Sequence, residues 1–220
     1  MSRWQEQKQL VLATARRMVA RGLVAGTSGN VSLRLPAAGG KEMIAVTPSS
    51  LPYDTLTADD IQVIGFDGQT VEGTLAPSIE TSLYISIFRA RNNVNAIIHT
   101  HSVHASAVAV AGRDIPPILE EQVVYLGGEI RCAPFAPGGS PELAQAARDY
   151  LGDRSGVLLM NHGAIGTGRD MDAAFAAGEL IEHTARIYLL ALSAGAANPL
   201  PPGTVAQWKS CYDQNQSAGA

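Results

Sequence analysis

Apolar positions in the first twenty residues recur at helical spacing. Trp4, Leu10, Val11, Ala15, Met18 and Val19 gather roughly on one side of a helix read over residues 3–21, which Gly22 ends. The period then drops to two. Val31-Ser32-Leu33-Arg34-Leu35 alternates as a strand, and residues 36–40 turn the chain into a second strand at Met43-Ile44-Ala45-Val46-Thr47. Residues 61–66 and 71–74, joined across Asp67-Gly68, read as another hairpin. A helical stripe returns with Leu83, Tyr84, Ile87 and Phe88, on a helix expected to start with Ser78 as N-cap and to run to Arg91. Residues 95–101 read as a buried strand flowing into a short helix over 103–111. Strands are expected again at 130–134 and 156–160, and helices at 141–151 (capped by Ser140) and 172–193. The tail from about residue 199 reads as loosely structured. Strands and helices alternate with neither an internal repeat nor a dividing linker. The expected class is therefore α/β, a mixed sheet with helices packed on it, in a single domain over residues 1–220.

Composition narrows the choices. Only 16% of the 220 residues are charged, against about 25% in a typical domain, while 46% are hydrophobic. Disordered, collagen-like and coiled-coil chains are excluded, and so little charge suggests surface hidden in an oligomer. A net charge of −4 lacks the basic excess of a nucleic-acid binder. Cys132 and Cys211 cannot build a multi-bridge disulfide framework, and the polar start of the chain lacks the apolar core of a signal peptide. No run reaches the roughly 18–20 apolar residues of a membrane span. The expectation is a soluble cytoplasmic protein with neither a membrane nor a nucleic-acid partner.

Three of the five histidines lie in His99-Thr100-His101-Ser102-Val103-His104. Side chains of a strand alternate faces, so His99 and His101 point the same way. On a strand as apolar as Ala96-Ile97-Ile98, two adjacent buried imidazoles need a shared partner to offset their desolvation. His162 closes another apolar strand in Asn161-His162-Gly163. Three imidazoles with one open position are a catalytic metal arrangement, most simply for Zn²⁺. His104 reads either as a further ligand or as a structural group, and His183 as a helix-surface residue. Glu80 also has two readings: a first-turn glutamate complementing the helix dipole, or a working carboxylate. Its spacing does not lift the second above the first.

Three loops, Gly26-Thr27-Ser28-Gly29-Asn30, Thr47-Pro48-Ser49-Ser50 and Pro77-Ser78, offer hydroxyls and backbone N–H groups without charge, which suits an anion. The same residues are ordinary turn formers. Neither a P-loop nor a dinucleotide glycine motif is present.

Taken in order, these pieces resemble the class II aldolase and adducin family, nearest its L-fuculose-1-phosphate aldolase branch. The resemblance runs from about residue 5 to residue 195. It rests on residues 26–32, Thr47-Pro48-Ser49 with Pro52-Tyr53, Pro77-Ser78-Ile79-Glu80, residues 99–104, Cys132-Ala133-Pro134 and Asn161-His162-Gly163. It implies a three-layer α/β/α fold with a central, mainly antiparallel sheet, and a fourfold-symmetric homotetramer with active sites between subunits. It also implies one Zn²⁺ (or another divalent metal) per subunit on His99, His101 and His162. The catalytic glutamate falls on Glu80, and the substrate phosphate on Ser28, Gly29, Asn30, Ser49, Ser50 and Ser78. The implied reaction is reversible cleavage of a ketose 1-phosphate to dihydroxyacetone phosphate and an aldehyde. Candidate substrates are L-fuculose 1-phosphate and a 5-deoxypentulose or methylthio-pentulose 1-phosphate.

Two departures stand out. Ile79 replaces a second serine of fuculose-phosphate aldolases. Glu120, counted from the His-x-His motif, replaces the tyrosine that protonates the aldehyde oxygen from a neighbouring subunit; Glu121, Tyr125 and Tyr212 are the other candidates for that acid. Within the superfamily, a methylthioribulose-1-phosphate dehydratase or a sugar-acid phosphate decarboxylase fits the same triad. From another class, a non-catalytic adducin-like binding module fits the fold.

Overall fold

Alternation along the strands sorts side chains to two faces of one sheet in the computed structural model, which describes residues 2–217. The strands are β1 (Asn30–Ala38), β2 (Lys41–Val46), β3 (Gln62–Gly65), β4 (Thr70–Glu72), β5 (Ala96–Thr100), β6 (Arg131–Ala133), β7 (Gly156–Leu159) and β8 (Gly163–Gly168). They form an eight-stranded sheet in the order β4-β3-β2-β1-β5-β8-β7-β6. Every pairing is antiparallel except β6 with β7. Of the consecutive pair Ile97 and Ile98, one packs into each face.

On one face lie α1 (Gln5–Ala20) and α6 (Met171–Ser193), whose Val11, Ala15, Met18, Ala174 and Phe175 meet Val31, Leu33, Ala45 and Ile98. On the other lie α2 (Thr81–Ala90) and α5 (Pro141–Leu151), which bring Leu83, Tyr84, Ile87, Leu143 and Ala147 onto Ile44, Ile64, Ile97 and Val157. The shorter α3 (Val103–Val110) and α4 (Glu120–Leu126) join α6 in a third cluster around Leu158 and Ala164. This is the expected three-layer α/β/α arrangement. Among the described residues, no helix is long and apolar enough to cross a membrane.

Several local expectations are corrected. The tail is not loose: Pro202–Ser217 forms α7, anchored by Tyr212. That hydroxyl donates to the Asp153 carbonyl (2.8 Å) and accepts from Ser155 Oγ (2.9 Å). On α1, Leu10 and Val19 stay exposed whereas Lys8, Leu12 and Thr14 are buried. The face is set by Val11, Ala15 and Met18, and Leu10 lies about 100° around the helix from Val11. α2 starts at Thr81 rather than near Ser78, and Glu80 holds the N-cap position without a side-chain cap. Ser140 does cap α5, accepting from the Leu143 N–H at 3.1 Å.

Besides α7, two elements, α4 and β8, have no counterpart in the hydrophobic pattern. α4 spans only seven residues. β8 is so rich in glycine that it reads as a loop, yet those glycines are what let α6 lie against the sheet. A Cβ at Gly166 would stand 2.8 Å from the Gly178 nitrogen.

Candidate active site

The centre of the sheet carries the chemistry. β5 lies between β1 and β8, and all five of its residues are buried. Its register sets Asn30 of β1 and Ile165 of β8 opposite His99. His101 follows immediately after the strand and points to the same side. His162 arrives from the tight turn joining β7 to β8, where Asn161 takes a left-handed conformation (φ 57°). Gly163 completes that turn because there is no room for a side chain: a Cβ would collide with the Thr100 carbonyl oxygen.

The three rings meet edge to edge. His101 Nε2 lies 2.8 Å from His99 Nε2, which lies 3.2 Å from His162 Nε2. His99 Nδ1 is 3.0 Å from the Ala164 carbonyl oxygen, which cannot donate, so this nitrogen carries the proton and Nε2 presents a lone pair. Lone pairs converging at such distances repel unless a cation sits among them. The donor set therefore fits a divalent metal, with His99 oriented by its second nitrogen as metal-binding imidazoles usually are. Burial, reinforced by the neighbouring rings, lowers the His101 pKa to about 4 and that of His162 below its usual value. Both are neutral and ready to ligate near pH 7. This is the one such group of His, Cys, Asp or Glu among the described residues.

Glu80 stands beside the triad and is 2% exposed. Its Oε1 lies 3.1 Å from His162 Nε2 and its Oε2 3.3 Å from His99 Nε2. Oε2 accepts from Asn30 Nδ2 (3.0 Å) and from the Tyr84 hydroxyl (3.4 Å). Burial works to raise the Glu80 pKa, but the imidazoles and the Asn30 amide outweigh it, and the carboxyl titrates below its ordinary range. Of the two readings of Glu80, the geometry supports the working carboxylate.

The three hydroxyl-rich loops open onto the same place. A cavity of about 160 Å³ is lined by Ser28, Gly29, Asn30, Ser49, Ser50 and Ser78, together with Glu80, His101 and His162. Main-chain bonds from the Ser49 N–H to the Ala76 carbonyl (2.9 Å) and from the Ser78 N–H to the Thr47 carbonyl (3.2 Å) zip two of the loops together. The third is held by the Tyr53 hydroxyl, which donates to the Gly29 carbonyl at 2.6 Å. Asn30 does more than line this cavity: its side-chain amide donates one hydrogen bond to Glu80.

Other candidates lie elsewhere. His104 is structural: its Nδ1 lies 2.6 Å from Glu182 Oε1, and that carboxylate also accepts the first N–H groups of α3. His183 is exposed on α6, as expected. Glu120 and Glu121 are exposed in the first turn of α4 and do not line this cavity, and Tyr125 is 65% exposed on the same helix. Tyr212 is buried beneath α4 and cannot reach substrate as an acid. Sequence reasoning missed Gly138 as cavity wall and Tyr84 as a partner of Glu80. Only the i, i+4 relation of Glu80 and Tyr84 could have signalled the last.

Comparison with known proteins agrees with this geometry. The profile of the class II aldolase and adducin N-terminal domain matches residues 9–189. The 5-deoxy-D-ribulose 1-phosphate aldolase of Bacillus thuringiensis serovar kurstaki is 34% identical over 197 residues, covering 90% of this chain and 91% of that protein. An L-fuculose phosphate aldolase of Escherichia coli is 33% identical, covering 87% of this chain and 85% of its own length. A solved L-fuculose 1-phosphate aldolase superposes with a TM-score of 0.87 at 29% identity, over 94% of this chain and 95% of that one.

Proposed function

The chain belongs to the class II aldolase and adducin family, and from that premise we propose that it is a metal-dependent aldolase acting on a ketose 1-phosphate. It would reversibly join dihydroxyacetone phosphate to an aldehyde. The observation that carries this reading is one cavity in which a buried carboxylate, beside a triad of converging imidazoles, faces uncharged hydroxyl-rich loops. A sugar-phosphate aldolase needs those three functions side by side.

Zn²⁺, one per subunit on His99, His101 and His162, would supply Lewis acidity toward the carbonyl oxygen of the substrate. The loops, through Ser28, Gly29, Asn30, Ser49, Ser50 and Ser78, anchor the phosphate and so orient the reacting carbons. A negative protein can hold an anion this way because the affinity is local. In the synthetic direction, ionised Glu80 takes a proton from the carbon beside the carbonyl of dihydroxyacetone phosphate. A base must start deprotonated, and the Asn30 amide donates to the carboxylate form of Glu80. That carbon then bonds to the aldehyde carbon, and Glu120 of a neighbouring subunit gives a proton to the aldehyde oxygen. In cleavage the same two groups exchange roles and the C3–C4 bond breaks.

The family's fourfold tetramer, with active sites at subunit borders, belongs to this reading. It is supported by exposed apolar side chains such as Val103, Tyr125 and Phe135. Free Cys132 and Cys211 accord with a cytoplasmic setting. Relatives named for 5-deoxyribulose 1-phosphate and 5-methylthioribulose 1-phosphate, at 34% and 36% identity, support a 5-deoxypentulose or methylthio-pentulose 1-phosphate as candidate substrates beside L-fuculose 1-phosphate.

The test is zinc-loaded protein assayed for dihydroxyacetone phosphate release from a panel of these ketose 1-phosphates. Cleavage of at least one is expected, and cleavage of none overturns the reading. Glu80→Gln should keep its metal but lose turnover by about 10²–10⁴-fold, as removal of a general base does. His101→Ala should lose both.

A further inference from the structure

We propose that Tyr84 is a positioning residue for Glu80: its buried hydroxyl, together with the Asn30 amide, holds Oε2 so that Oε1 is the oxygen presented for proton transfer. The inference rests on the aldolase reading for what Glu80 does, but the clamp itself is a matter of geometry.

Glu80 occupies the N-cap position of α2 and Tyr84 lies one turn further on. Side chains on a helix lean toward its N-terminus, so a residue at i+4 reaches back to i. Tyr84 is fully buried among Ile44, Leu83, Ile87 and Phe88, where a phenylalanine would pack as well. A phenol hydroxyl in such surroundings costs stability unless it is paired, and the hydrogen bond it makes is to Glu80 Oε2. Burial and the Glu80 charge push the Tyr84 pKa well above its ordinary value. The group therefore keeps its proton and acts as a donor.

The two donors come from different layers. Asn30 Nδ2 approaches from the sheet at 3.0 Å, and Tyr84 approaches from α2 at 3.4 Å and is the weaker of the two. Together they fix the plane of the carboxylate. Oε1 is also buried, yet it receives no hydrogen bond. An oxygen already accepting two bonds is a poorer proton acceptor than one accepting none. The asymmetry thus selects the oxygen that works, and it faces the triad.

Tyr84→Phe removes the hydroxyl and keeps the ring. Four quantities decide the matter: solvent-deuterium exchange into dihydroxyacetone phosphate without aldehyde, kcat and KM for cleavage, bound zinc, and the Glu80 orientation in a crystal structure of the variant. Exchange and kcat should fall together by about tenfold, equivalent to about 1.4 kcal/mol. KM and zinc content should hold, and Glu80 should spread over more than one orientation. Leu83→Ala serves as the packing control, lowering the melting temperature while leaving exchange unchanged.

The proposal is overturned if exchange stays within twofold with Glu80 unmoved. It is equally overturned if Tyr84→Phe loses zinc and melting temperature along with activity, as a packing defect would. If the wild type neither exchanges nor cleaves, the aldolase reading falls instead. The clamp is then judged on whether the Glu80 carboxylate moves in Tyr84→Phe.

Discussion

His101 shows how one residue can be readable in sequence while its energetics are not. Its type and its spacing from His99 mark it as a ligand, but its pKa of about 4 depends on burial and on His99 and His162 at close range. An unfolded chain holds the same imidazole near 6.5. Between these values the unfolded state binds more protons than the folded one, so acid favours unfolding. Metal-free protein should therefore lose stability as the pH falls from about 6.5 toward 4. Thermal melts across that window check this, and His101→Gln should flatten the slope. Glu80 and Tyr84 mark the limit of legibility at this scale. A glutamate at a helix start and a tyrosine in an apolar stripe have ordinary explanations. Only their approach to Asn30 and His99, from separate parts of the chain, gives them another.

Among the elements, those with a strong period were legible and those without one were not. The stripe of α2, the alternation of β1 and β2 and the capped start of α5 each follow from local physics. β8 does not, because its glycines have poor strand propensity and are justified only by α6 lying over them. α7 was equally hidden, since it carries almost no apolar face and relies on Tyr212, which is 1% exposed. Removing a large buried aromatic costs about 3–5 kcal/mol. Tyr212→Ala should cost at the lower end of that range in chemical denaturation, because α7 is peripheral. Amides of α4 should exchange faster, since α7 packs on that helix. Bound zinc should be unchanged, because neither helix supplies the triad.

For the whole molecule, low charge and exposed apolar side chains point to the same consequence. Val103, Val110, Tyr125, Phe135 and Leu190 are each more than half exposed in the isolated chain, and a contact between copies of the chain would cover those that lie together on one face. Sedimentation velocity should give a single species of four chains; a monomer at micromolar concentration would remove the basis for placing Glu120 in a neighbour's site. By itself the sequence determined the α/β class, most strands and helices and the grouping of His99, His101 and His162. These follow from periodicity and from the chemistry of residue types, which are local properties. Only the tertiary structure decided that Glu80 lies beside the triad, that Asn30 and Tyr84 both donate to its carboxylate, and that His104 pairs with Glu182. Those roles depend on distances between residues far apart in the chain, and only the pairing of β1, β5 and β8 under α2 brings them within hydrogen-bond reach.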